Sequence, residues 1–146
     1  MSNEGGCEVA LVTGAGSAQG IGFAVARVLA VRGARVVITS TTDRIHERAA
    51  ELRALGADAR GVVVADLCDE SAARRLVDEA LEVGGCIDIC VNNAGMVQTG
   101  GILNDALLED YDAAMWNDAL RRNLTTCYHV TRAALPVMRC AVTGGS

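Results

Sequence analysis

Four glycines fall within sixteen residues, LVTGAGSAQGIGFAVA, from Leu11 to Ala26. An apolar run of strand type breaks into Thr13-Gly14-Ala15-Gly16, and a helical pattern begins at Gly20-Ile21-Gly22. Glycine at such a joint lets backbone approach a phosphate closely. The free N–H groups of the helix's first turn, and its dipole, then hold the negative charge. The alternative is a tight turn that needs glycine only for its backbone angles. Position decides between them: the glycines follow a first strand and open a helix, which is the context that phosphate binding requires.

Three further groups sit at places where they could complete such a site. The first is Ser40, Thr41, Thr42, Asp43 and Arg44. Sites for NAD place an acid at the end of the second strand, to accept from the ribose hydroxyls. Here that place is taken by hydroxyl side chains, which donate to a 2′-phosphate, and Arg44 can pair with one. NADP is therefore expected ahead of NAD, with Asp43 read as a helix cap. The competing reading is a polar turn with Arg44 in solvent. The second group is Asp66, which either accepts from an adenine amino group or caps the next helix. The third is Asn92-Asn93-Ala94-Gly95. Small residues there let a flat ring lie against backbone; alone, the stretch would read as an Asn-Gly turn. Its alignment with two other strand ends favours the ligand.

The elements that must position these residues alternate. Strands are expected over Glu8 to Thr13, Arg35 to Ser40, Gly61 to Asp66 and Ile87 to Asn92. Between them Ile21, Val25, Val28 and Leu29, then Ile45, Ala49, Leu52 and Leu55, then Ala73, Leu76, Val77, Ala80 and Leu81 recur at helical spacing. Gly33, Gly56 and Gly84-Gly85 stop those helices. A long helical stretch runs from about Asp110 to Arg139, with Pro136 near its end. Continuous apolar strands separated by helices make an α/β fold: a doubly wound, parallel Rossmann-type sheet covered on both faces. In such a sheet ligands bind at the carboxyl ends of the strands, where the winding reverses.

Bulk composition narrows the function. The chain has 146 residues, 51% of them hydrophobic and only 3% aromatic, so its core must be built from Ala, Val, Leu and Ile. A net charge of −5 with no basic cluster argues against nucleic acid. No apolar run approaches the ~20 residues of a membrane span, and MSNEGGCEV does not read as a signal peptide. A cytoplasmic setting is expected. The cysteines, at 7, 68, 86, 90, 127 and 140, form no Cys-x-x-Cys, and only His46 and His129 could join them. They read as small core hydrophobes, with no metal site. All 13 basic residues are arginine.

Thr13-Gly14…Gly20-Ile21-Gly22, Asp66-Leu67, Asn92-Asn93-Ala94-Gly95 and Trp116…Asn123-Leu124-Thr125, followed by Ala134-Leu135-Pro136, together resemble the short-chain dehydrogenase/reductase family over nearly the whole chain. The Ser/Thr-rich end of the second strand is similar to NADP-dependent members such as 3-oxoacyl-carrier-protein reductases. The resemblance implies an NAD(P)-dependent oxidoreductase moving hydride between nicotinamide and a carbonyl or alcohol. It implies that Gly14, Ser17, Gly20, Ile21 and Gly22 wrap the ribose and pyrophosphate, and that Asp66 and Leu67 flank adenine. Asn93, Ala94 and Gly95 would contact the adenosine half, with Asn92 bracing the sheet. Asn123 would kink the long helix, its carbonyl holding a water of the proton relay. Strand order would begin 3-2-1-4, and two copies would pair through the helix near 112–139.

The sequence departs from the family pattern in three ways. Five residues, Ala15 to Gln19, separate Thr-Gly from Gly-x-Gly where three are usual. Arg122 stands before Asn123 where the family has an apolar residue. The family's catalytic Ser and Tyr-x-x-x-Lys follow the fifth strand, and no lysine occurs in these residues. Tyr128 and Arg132 share the Tyr–Lys spacing but lie on the long helix and read as packing residues. Residues 1–146 are thus expected to be a single dinucleotide-binding domain, incomplete at its C-terminal side after about four strands and the long helix, and inactive as given. Met96 to Asn104 would contribute only one wall of the substrate pocket. The alternatives are a non-catalytic dinucleotide-binding or interaction module and, with less support, a Rossmann-like methyltransferase.

Overall fold

The computed structural model describes residues 8–95 and 107–143, with side chains omitted at 108 and 139–143. Met96 to Asn104 therefore lies outside the described residues. Among the described residues four strands alternate with helices, and a further helix follows the last: β1 (Val9–Val12), α1 (Ile21–Val31), β2 (Arg35–Ser40), α2 (Arg44–Ala54), β3 (Ala59–Val63), α3 (Glu70–Gly84), β4 (Ile89–Val91), α4 (Ala113–Leu120) and α5 (Thr126–Thr143). A 3-10 turn covers Leu108–Asp110, and a π-helical turn at Arg121–Thr125 joins α4 to α5. The sheet is parallel in the order β3-β2-β1-β4. Winding reverses between β1 and β4, so their carboxyl ends open the crevice.

Alternation along the strands divides the core. Ala10, Val12, Val36 and Ile38 pack with Phe23, Ala26, Ile45, Ala49 and Leu52 of α1 and α2. Leu11, Val37 and Val62 face the other way, against Leu76, Val77 and Ala80 of α3 and Val130 and Ala134 of α5. Small side chains dominate both layers, as an aromatic-poor sequence requires. Among the described residues no helix is long and apolar enough to cross a membrane.

Several boundaries differ from expectation. Strand β3 starts two residues earlier than Gly61, because Arg60 belongs to it; Arg60 reaches Glu79 and Glu82 on α3 at 2.8 and 3.0 Å. It ends at Val63, since the chain turns at Ala65 to Asp66 after one last bond from the Val64 N–H to the Ser40 carbonyl. Strand β4 is only Ile89–Val91. The single long helix is instead α4, the π turn and α5, and it continues past Pro136 to Thr143.

Neither proposed aspartate cap is one. Asp43 has helical angles (φ −61°, ψ −15°) and its side chain accepts nothing from the helix. The preceding turn is already closed by Ser40, whose Oγ donates to the Thr42 carbonyl and accepts the Thr42 N–H. Asp66 lies a turn before α3, which is capped by Asp69 accepting the Ser71 N–H at 2.9 Å. At the start of α4, Asp112 accepts the Met115 N–H at 2.8 Å. Asp112→Ala should lower stability by about 1 kcal/mol, measured as a shift in urea midpoint with unchanged slope.

Candidate nucleotide-binding site

One cavity of about 530 Å³ opens at the carboxyl ends of the strands. Its lining includes Gly14, Ser17, Gly20, Ile21, Ser40, Thr41, Arg44, Asp66, Leu67, Asn93, Ala94 and Gly95, brought together from four strand ends. Two residues expected in the site are not in its lining, Gly22 and Asn123.

Gly22 is a packing residue. A Cβ there would run into the Asn93 side-chain amide and lie 2.7 Å from the Gly14 carbonyl. Its bareness lets α1 lie against the β1 turn. Gly14 itself has φ +73°, and a Cβ on it would stand 2.8 Å from Ala94 Cα. The turn is held from β4 by Asn93, whose Nδ2 donates to the Thr13 and Gly14 carbonyls at 3.1 and 3.0 Å. Buried Thr13 Oγ1 accepts the N–H groups of Asn93 and Ala94 at 3.1 and 2.9 Å. The brace at the β1 turn is made by Asn93, where the expectation was that Asn92 braces the sheet. Asn92 instead donates to Thr131 Oγ1 on α5 at 2.9 Å.

Helix α1 opens at Gly20 with no side-chain cap and no acid in its first turn. Its first N–H groups and positive dipole end therefore remain for an anion. By contrast, α3 and α4 carry aspartate caps. Thr39 adds a buried hydroxyl with no hydrogen-bond partner, on a residue of the cavity wall. The residues present thus fit an anionic dinucleotide. At the β2 end, Gly16 presses on Ser40: a Cβ on Gly16 would come within 2.7 Å of Ser40 Cβ. Among the described residues Arg44 makes no ion pair; its Nε donates to Thr42 Oγ1 at 3.3 Å, leaving the terminal nitrogens of the fork.

At the β3 end, Asp66 Oδ1 accepts the Cys68 N–H at 2.8 Å. That backbone hydrogen bond holds the carboxyl below its usual range, and the Arg121 guanidinium acts in the same direction. Asp66 is therefore an acceptor-only group at neutral pH. Burial and the neighbouring Asp66 push the Cys68 thiol up, so it is a protonated wall residue. Among the described residues no group of three His, Cys, Asp or Glu could hold a metal.

Asn123 sits on the π turn, with Nδ2 donating to the Ala119 carbonyl at 3.0 Å. Its Oδ1 would be 2.7 Å from a Cβ on Gly95, so the side chain seats against the cavity's rim. Tyr128 is exposed, and Arg132 Nη1 donates to its hydroxyl at 3.4 Å, away from the cavity lining. Lining residues that the sequence did not single out for the site include Gly16, Thr39, Cys68, Arg121 and Arg122. Gly16 was legible in the glycine run, and Thr39 precedes Ser40. Cys68 and Arg121 needed the fold, because their contact joins segments some fifty residues apart, the Cys68 thiol donating to the Arg121 carbonyl at 3.2 Å.

A family model described as enoyl-(acyl carrier protein) reductase matches residues 14–146. The chain is 33% identical to 3-oxoacyl-[acyl-carrier-protein] reductase FabG of Escherichia coli over 138 residues, 94% of this chain and 51% of that protein. Among solved structures, a metagenomic short-chain oxidoreductase in complex with NADP superposes with a TM-score of 0.76 at 35% identity, covering 92% of this chain and 57% of that one. The NADH-dependent reductase A1-R′ complexed with NAD gives 0.77 at 29% identity, covering 94% and 54%. The chain spans about half the length of the curated relatives it matches.

Proposed function

This chain belongs to the short-chain dehydrogenase/reductase family, and from that membership we propose that it supplies the NADP-binding part of a reductase acting on carbonyl or alcohol substrates. The observation that carries the reading is the strand-end cavity, where an uncapped helix N-terminus, a hydroxyl-rich β2 end with Arg44 and the Asp66 carboxylate line one space. NADP, when bound, supplies hydride exchange at its nicotinamide ring. The chain's own residues bind and orient. The α1 amides take the pyrophosphate, Ser40, Thr41 and Arg44 take the 2′-phosphate, and Asp66 accepts from the adenine amino group while Leu67 packs beside it. Ser17, Gly20 and Ile21 form the floor beneath the ribose and phosphates, and Asn93, Ala94 and Gly95 form the adenosine wall. Gly22 acts indirectly, by letting α1 close on the turn.

Asn123 supports a role in holding a water. In a π turn the i→i−4 ladder is interrupted, which leaves a carbonyl there available to solvent. The Ser and the Tyr–Lys pair that the resemblance assigns to polarising the carbonyl and donating its proton are not identified in these residues, which contain no lysine. General acid catalysis is worth about 100- to 10,000-fold. The 146-residue chain is therefore expected to bind NADPH without oxidising it. Incubation with ketones and 3-oxoacyl thioesters, followed at the nicotinamide absorbance band, tests this. Turnover on the order of 1 per second or faster would overturn it and direct attention to Tyr128. Binding without turnover also suits the second reading, a non-catalytic module.

Pairing of two copies through 112–139 belongs to the same proposal. Its support is the exposure of Trp116, Leu120, Leu124, Tyr128 and Leu135 along α4, the π turn and α5.

A further inference from the structure

Taking the cavity as a nucleotide site, we infer that Arg121 is a further binding residue for the base, its guanidinium lying on the face of a purine whose amino group Asp66 accepts. The backbone of Arg121 is fixed. Its carbonyl receives the Cys68 thiol at 3.2 Å, and the next carbonyl, that of Arg122, receives Thr126 Oγ1 at 2.9 Å. The guanidinium, by contrast, is held loosely. Nη1 lies 3.5 Å from Asp66 Oδ2 and Nη2 lies 3.5 Å from Asp118 Oδ1. Asp118 is engaged more closely by Arg122 Nε, at 2.5 Å. Arg121 and Asp66 are both about half exposed, and long surface pairs of this kind contribute little.

Asp66 retains an acceptor for the base. Oδ1 accepts the Cys68 N–H, the Cys68 thiol also acts on the carboxylate, and Oδ2 makes the long Arg121 contact, so two oxygens with about four acceptor sites retain capacity for a base. A purine whose amino group reaches Oδ2 shares that oxygen with Arg121 Nη1, which lies 3.5 Å from it, so rotation of the half-exposed side chain can carry the guanidinium over the ring. A guanidinium within ~6 Å of an aromatic face is attracted to it. Val64 and Leu67 line the same cavity and offer apolar surface to the ring. Arg121 thus exchanges a weak ion pair for a stacked contact. Arginine stacks where lysine does not, because its charge is spread over a plane.

The test compares 2′,5′-ADP binding to the wild-type chain, Arg121→Ala and Arg121→Lys by calorimetry, with thermal melting to show that each is folded. The expected result is about 3- to 30-fold weaker binding for Arg121→Ala, with Arg121→Lys recovering less than half of the loss on a logarithmic scale. Unchanged or tighter binding by Arg121→Ala overturns the inference, tighter binding marking Arg121 as a competitor for Asp66. Full recovery by lysine also overturns it, since charge alone would then suffice. If the wild-type chain does not bind 2′,5′-ADP, the cavity reading fails and takes this inference with it. Wild-type binding with no effect at Arg121 removes this inference alone.

Discussion

Gly14→Ala is expected to abolish nucleotide binding and to destabilise the fold. At φ +73° any side chain is strained, at a cost of about 1–3 kcal/mol. The new methyl group would also stand 2.8 Å from Ala94 Cα and 3.0 Å from the Asn93 side-chain amide. Ala94 offers backbone, which cannot rotate away, and Asn93 is engaged with two carbonyls. Overpacking of that kind adds about 1–3 kcal/mol. The combined loss, about 2–6 kcal/mol, is a large part of a small domain's stability. Urea unfolding by circular dichroism measures it. A midpoint within experimental error of wild type would show that the β1 turn is not built as described. Gly20→Ala is the milder control: the nearest atoms to its Cβ would be those of Ser17, at 3.1 Å or more.

Ser40→Asp is expected to reverse the cofactor preference without unfolding the chain. Ser40 Oγ accepts the Thr42 N–H, which an aspartate oxygen can also do; the bond that Ser40 donates to the Thr42 carbonyl is lost, but the turn is exposed and the core is untouched. The introduced carboxylate repels a 2′-phosphate and offers an acceptor to ribose hydroxyls. Arg44→Ala removes the attractive side of the same choice. A hydrogen bond to a charged group is worth about 1.5–3 kcal/mol, so each variant should bind NADP about 10- to 150-fold more weakly, with NAD affinity retained in Arg44→Ala and raised in Ser40→Asp. Equal loss of both cofactors would point to damage in the turn. No loss of either would remove the 2′-phosphate from this end of the cavity.

The parallel sheet and its order were legible because each strand is a short apolar run closed by glycine or a polar turn, and each helix has a clear stripe. The boundaries that shifted did so where a tertiary contact replaced a local signal. Arg60 looks like a loop residue until α3 presents Glu79 and Glu82. Asp43 looks like a cap until Ser40 closes the turn before it. The cavity residues that lie at strand ends were readable from motif and position. Spacing does not distinguish a glycine that meets a ligand from one that packs on Asn93, as Gly22 does outside the cavity lining. Asn92 and Asn93 are adjacent and identical in type, so only geometry separates the strand-to-helix tie from the turn brace. Arg122 stands out in the sequence only as a charge where the family has an apolar residue. The π turn carries both it and Arg121 to the cavity, where Arg121 pairs with Asp66 and Arg122 with Asp118.

Calorimetric titration of the 146-residue chain with NADP and with NAD, in one low-salt buffer, tests the central claim most directly. The site described here predicts one NADP bound per chain, about tenfold or more tighter than NAD, with the difference shrinking as salt screens Arg44. A folded chain that takes up neither dinucleotide, or binds both with equal affinity at every salt concentration, would contradict it.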